Sequence, residues 1–231
     1  MAHARSGARA RRRQLNVPLH IEIWSDIVCP FCYIGKRNLE AALAQFSSGE
    51  PVTVTWKSFE LDPSTERAGK SLYERLAEKY GQSVEWARES SAQITKTAAA
   101  VGLDFHLNRA VPANTFNAHR LLHLAAKHGL ADAAEERFMT AYFTEGKDIG
   151  DSATLAALAA DAGLPADEVN SVLGGDDFAD DVRRDLEEAR AVGVSAVPFF
   201  IFNRKVAVRG AQPVSVFLSA LHQVETGVKP G

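Results

Sequence analysis

The chain has 231 residues, 46% hydrophobic and 24% charged, with a sequence pI near 6.2. Its first thirteen residues hold Arg5, Arg9, Arg11, Arg12 and Arg13 and no acid, so the remainder carries 21 basic against 29 acidic residues, a net charge of −8. An acidic body excludes general nucleic-acid binding, and no stretch is apolar enough to make a membrane partner.

Residues 1–16 read as a disordered basic arm. The segment Gln14 to His20 lacks the run of apolar residues that an export signal carries, so the chain is expected in the cytoplasm. His20-Ile21-Glu22-Ile23-Trp24 alternates apolar and polar side chains, the pattern of a half-buried strand. A helix follows at once: Leu39, Leu43 and Phe46 recur at helical spacing, and counting back seven residues puts Cys32 on the same stripe. Val52-Thr53-Val54-Thr55-Trp56 begins a second strand running towards Phe59. With a helix as crossover, the two strands should lie parallel.

From about Lys70 to Leu173 only helical patterns recur, over 71–80, 83–101, 115–128, 131–144, 152–162 and 165–172. Ser83 and Ser152 stand as N-caps, and Gly81, Gly102, Gly129 and Gly163 stand where helices stop. Phe178, Val182, Leu186, Ala189 and Val192 mark one more helix, ended by Gly193. Phe199 to Phe202 and Val206 to Val208, joined by Asn203-Arg204-Lys205, predict an antiparallel hairpin. Val214, Phe217, Leu218 and Leu221 mark a final helix.

The chain has only two cysteines, in Cys29-Pro30-Phe31-Cys32 at the first strand-to-helix junction. Pro30 suits the first helical position, because its missing N–H would be unpaired there in any residue. The N–H groups of Phe31 and Cys32 are then expected to point at the Cys29 sulfur. Thiolates are favoured at helix N-termini, which marks Cys29 as the nucleophile and Cys32, shielded one turn on, as the resolving thiol. Three blander readings compete. The pair could form half of a zinc site with His119 and His123, which stand four apart on a helical pattern. It could be a structural disulfide, although so small a loop constrains the unfolded chain little. It could also be two inert buried thiols.

Trp24-Ser25-Asp26-Ile27-Val28-Cys29-Pro30-Phe31-Cys32-Tyr33, taken with Gly193-Val194-Ser195-Ala196-Val197-Pro198-Phe199-Phe200, resembles the DsbA family of thiol-disulfide oxidoreductases. It is most similar to the family's cytoplasmic FrnE-type branch, which carries a segment resembling Asn114-Thr115-Phe116-Asn117-Ala118-His119-Arg120. The resemblance implies an α/β thioredoxin-like fold, here residues 17–64 and 174–231, with an all-helical insertion over 65–173. It implies that Cys29 attacks and Cys32 resolves a mixed disulfide. It also implies that the Val197-Pro198 bond is cis and faces the pair, with the Val197 backbone offered to substrate. Asp26 is open between accepting the Cys32 proton and bracing the strand end, and His119 and His123 read as surface or packing residues without assigned partners. Expected partners are disulfide- or thiol-containing proteins, with glutathione or another thiol as reductant; no cofactor or metal is expected. In a reducing compartment, reduction or isomerisation is the expected direction. Two alternatives remain, a glutathione-dependent isomerase or transferase of the hydroxychromene-carboxylate isomerase or kappa type, and a non-enzymatic redox sensor.

Overall fold

A computed structural model of the chain describes residues 18–47, 51–65 and 69–226, so the expected basic arm lies outside the described residues. Strand β1 (Leu19–Ser25) runs into helix α1 (Pro30–Gln45), and β2 (Val52–Ser58) returns parallel to β1 with Ser25 opposite Ser58. After the helical block come α8 (Ala179–Ala191), β3 (Phe199–Phe202), β4 (Val206–Arg209) and α9 (Val214–Thr226). The sheet order is β2-β1-β3-β4, with β3 antiparallel to both β1 and β4. This is the expected α/β thioredoxin-like fold with a helical insertion.

β1 differs from its half-buried expectation. Both faces are covered, and only His20 within it is part-exposed. Glu22 reads as a solvent-facing position in the alternation, but it is buried and its carboxylate accepts from the Arg204 guanidinium at 2.6 Å. Arg204 reaches it from the hairpin turn, where Asn203 and Arg204 have φ of 47° and 54°, the left-handed conformation that tight hairpin turns demand.

The insertion comprises α2 (Leu72–Tyr80), α3 (Val84–Ala99), α4 (Phe116–Lys127), α5 (Ala131–Thr140), α6 (Ser152–Asp161) and α7 (Ala166–Gly174). Ser83 caps α3 by accepting from the Trp86 N–H, as expected. Ser152 does not cap α6: Asp151 holds that place, its carboxylate accepting from the amide and hydroxyl of Thr154. The expected helix over 131–144 breaks into α5 and a π-helical turn, Ala141–Glu145, closed by Gly146 at φ 70°. At Gly146 a side chain would also run into Arg109, whose Cβ lies 2.8 Å from the ideal Cβ position.

Two apolar cores flank the sheet. One joins Ile21, Ile23, Phe200 and Phe202 to Leu39 of α1 and Phe217 and Leu221 of α9. The other joins Trp24, Cys32, Tyr33 and Phe199 to Leu121, Phe138 and Phe143 of the helical block. The insertion therefore completes a core that the sheet begins. Helix α1 passes from one core to the other, which corrects the single stripe expected of it: Cys32 belongs with the helical block, whereas Leu39 and Phe46 belong with α9. The first turns of α1 are accordingly buried nearly all round, including Lys36, whose ammonium pairs with Glu40, Asp132 and Glu136.

Candidate active site

Cys29 is the N-cap of α1, with extended backbone (φ −88°, ψ 111°) and Pro30 as the first helical residue. Its N–H donates to the Asp26 carbonyl at 2.9 Å, which ties the cysteine to the end of β1. Both cysteines are buried thiols, whereas Phe31 between them is 44% exposed. The Cys32 N–H is not aimed at the Cys29 sulfur as expected; it donates to the Cys29 carbonyl at 3.0 Å in a tight first turn. What meets the Cys29 thiol is the carbonyl of Val197 at 3.6 Å. The Val197-Pro198 bond is cis, and Pro198 Cγ lies 3.0 Å from where a Cβ on Gly35 would stand. α1 and the start of β3 thus pack backbone to ring, holding the proline turn beside the cysteines.

Burial raises the Cys32 thiol well above its ordinary range, and the neighbouring Cys29 pushes it the same way; the Asp26 backbone amide and the Ser25 hydroxyl favour its thiolate and oppose the rise. Burial thus holds the Cys32 sulfur as a neutral thiol.

The Asp26 side chain is fully buried, and its contacts are with Leu61 and His119. One carboxylate oxygen accepts from the Leu61 N–H at 2.8 Å, and the other lies 3.5 Å from Nε2 of His119. His119 is therefore no surface residue. It is buried, its ring lies 3.0 Å from the Phe59 carbonyl, and although burial disfavours its charge, Asp26, Glu135 and Glu60 together raise its pKa. His123, one turn along α4, lies 3.1 Å from the Ser58 hydroxyl and 3.1 Å from Asp185. The two histidines thus serve different neighbours, and neither is brought to the cysteines as a ligand.

Two residues escaped the sequence reading. Glu135 on α5 is buried, with one carboxylate oxygen accepting from Ser25 Oγ at 2.8 Å and the other without a hydrogen-bond partner. Burial pushes it up to about 7 against the downward pull of His119 and Ser25. Its signal was available: Glu135 shares a helical stripe with Phe138, Met139 and Tyr142, so an acid stands where a core residue belongs. Glu136 beside it accepts from Tyr33 Oη and pairs with Arg37 and Lys36, tying α5 to α1.

A parallel β1-α1-β2 unit, a terminal hairpin with its helix, and a Cys-x-x-Cys at the strand-to-helix junction facing a cis-proline define a thioredoxin-fold protein of the thiol-disulfide oxidoreductase kind. The chain belongs to the DSBA-like thioredoxin domain family, which it matches over residues 20–222. It is 30% identical to the uncharacterized protein YwbO of Bacillus subtilis (strain 168), over 88% of this chain and 96% of that one. The crystal structure of the probable DsbA oxidoreductase SCO1869 from Streptomyces coelicolor superposes with a TM-score of 0.86 at 40% identity, covering 92% of each chain. The cytosolic disulfide reductase DsbM from Pseudomonas aeruginosa shares the fold, with a TM-score of 0.62 at 18% identity over 88% of this chain and 97% of that one; it has also been solved with GSH. Among the described residues no helix is long and apolar enough to cross a membrane.

Proposed function

We propose that this protein reduces or isomerises protein disulfides through a mixed disulfide on Cys29, which Cys32 resolves, in the manner of the FrnE-type branch. The observation that carries the reading is the Cys29 thiol at the cap of α1, set against the carbonyl that precedes cis-Pro198. In the first step the Cys29 thiolate attacks one sulfur of a substrate disulfide and the other sulfur leaves as a thiolate. In the second, Cys32 loses its proton and attacks Cys29, the bond to the substrate breaks, and the second substrate thiol is released. Two electrons have then passed from the pair to the substrate, and a small thiol such as glutathione returns them. Val197 and Pro198 present backbone to the substrate chain beside the disulfide. Asp26 takes the bracing role of the two its position allows, because its carboxylate holds Leu61 and faces His119. We place the activity in the cytoplasm, on the fold likeness to a cytosolic reductase and on the reducing poise such a pair meets there.

A glutathione-dependent isomerase or transferase needs one group at the Cys29 position to activate a bound thiol, and has no use for a buried second thiol. The test is turbidimetric insulin reduction beside a glutathione-conjugation assay. Wild type should reduce insulin, Cys29→Ser should not, and Cys32→Ser should accumulate mixed disulfides visible on a non-reducing gel. Equal trapping by both variants, or conjugation without reduction, would overturn the reading.

A further inference from the structure

A substrate held at Cys29 lies beside the Val197 carbonyl and cis-Pro198, so the side chains that border that turn are the ones it meets. One of them is a cation. Arg209 ends β4 and stands opposite Phe199, the residue after the proline, in the antiparallel register. The turn that follows is tied down on two sides: the Gly210 N–H donates to the Pro198 carbonyl at 2.8 Å, and Asn38 Nδ2 on α1 donates to the Gln212 carbonyl at 2.9 Å. Gln212 Nε2 donates in turn to the Arg209 carbonyl at 2.9 Å, and Ala211 packs on the core that holds both cysteines. The Arg209 backbone is therefore fixed relative to the pair. Its side chain is exposed, with the guanidinium carbon 5.6 Å from the centroid of the Phe199 ring, an aromatic face that attracts the cation and limits where it swings.

The cations of α1 are already committed, Lys36 to Glu40, Asp132 and Glu136, and Arg37 to Glu40 and Glu136. Arg209, by contrast, has no ion pair among the described residues, and its side chain meets only the Phe199 ring there. Beyond its first thirteen residues the chain carries a net charge of −8, a field that repels anions. An unpaired guanidinium held beside Pro198 reverses that sign locally. The group it suits best is a carboxylate, which its planar fork holds with two parallel hydrogen bonds.

We propose that Arg209 selects disulfides that carry a carboxylate close to the reacting sulfur. The proposal rests on the reading of Cys29 as the attacking thiol. The carboxylate docks on the guanidinium while the Cys29 thiolate bonds to the nearer substrate sulfur; the substrate S–S bond breaks, and its electron pair leaves on the other sulfur. Cys32, losing its proton, then attacks Cys29 and releases the bound half as a second thiolate. Two electrons have passed from the pair to the substrate. Such a carboxylate has two sources, glutathione and an acidic residue beside a substrate cysteine.

Reduced protein is mixed with excess disulfide, quenched at intervals with acid, and scored for the closed Cys29–Cys32 bond by mass spectrometry. Two probes of similar size differ in charge: dithiodiglycolate is doubly anionic and bis(2-hydroxyethyl) disulfide is neutral. The readout is the ratio of the anionic to the neutral rate, in which the intrinsic reactivities of the probes cancel between variants. Arg209→Gln should lower that ratio about threefold and Arg209→Glu about tenfold, and high salt should bring wild type towards the Arg209→Gln value. Arg209→Lys keeps the charge and should retain part of the preference. Lys127→Gln removes the same charge from an exposed pair with Glu168 and should keep the wild-type ratio. A wild-type ratio in Arg209→Gln would overturn the proposal, as would equal falls in Arg209→Gln and Lys127→Gln, or an Arg209→Lys protein as poor as Arg209→Gln. Glutathione disulfide, and peptide disulfides with Asp or Asn beside the cysteine, distinguish the two sources, the true one being that whose rate responds to Arg209. If Cys29→Ser forms a mixed disulfide through Cys32 as fast as wild type is oxidised, the assignment of the attacking thiol fails instead.

Discussion

At the scale of single residues, the pair of cysteines was legible because its chemistry lies in its own residue types and immediate neighbours, whereas the proline that faces it was expected from the family resemblance. Asp26, only three residues from Cys29, was legible as a candidate but not in its direction, since only the folded chain shows its carboxylate turned to Leu61 and His119. Glu135 and His119 were hidden for a further reason: they reach the site from α5 and α4, more than eighty residues downstream, and separation along a sequence says nothing about such meetings. The buried acid leaves a thermodynamic mark. Because Glu135 is raised from 4.5 to about 7, the folded chain holds a proton there that the unfolded chain gives up, so its contribution to stability declines as the pH rises through that window and is at its worst above about 7. His119, raised in the fold, acts in the same sense: its contribution is complete below its ordinary value of 6.5 and disappears as the pH passes its folded value. Glu135→Gln should therefore be more stable than wild type at pH 8 by about 3 kcal/mol and show little gain at pH 4, by urea melts at both.

Among the elements, the strands and most helices of the insertion were readable in place from periodicity and from turn glycines, although β1 is covered on both faces where its alternation predicted one. Local pattern and final environment part company where one element serves two environments. α1 looked like a single amphipathic helix, yet its first turns lie in one core and its later turns in the other. The reason is Gly35, which lets α1 approach β3 so closely that a Cβ would meet Pro198 Cγ at 3.0 Å and Phe200 Cζ at 3.1 Å. Gly35→Ala should push α1 away from the proline turn, costing about 1–3 kcal/mol in thermal or urea unfolding. It should also slow insulin reduction, through displacement of Cys29 from Val197. A wild-type melting curve for this variant would mean that the helix has slack the packing does not show. The break of α5 into a π turn was illegible for a similar reason: the Phe143 carbonyl there accepts from the distant His106 N–H at 2.7 Å, a tertiary demand on a helical segment.

For the molecule as a whole, the order of elements together with the family resemblance indicated the fold class, whereas neither indicated the sharing of a core between sheet and insertion, since a run of amphipathic helices reads the same whether it packs on itself or on a neighbour. The sheet order β2-β1-β3-β4 places β3, made near the end of the chain, against β1, made near its start. That ordering sets a timetable for synthesis. At about 5–20 residues per second, Cys29 and Cys32 wait roughly 10–30 s for the segment that faces them to be made, and the helices that bury them arrive only in between. A ribosome-stalled chain ending before Val197 should therefore be alkylated at both cysteines at comparable rates, while the finished protein should protect Cys32, by mass spectrometry of each. During that interval the thiols are open to any passing oxidant or to a neighbouring nascent chain. A cell making this protein faster than its thiol pool can shield it should collect it first as mixed disulfides, a hazard set by the order in which the chain is written and not by the stability of the finished fold.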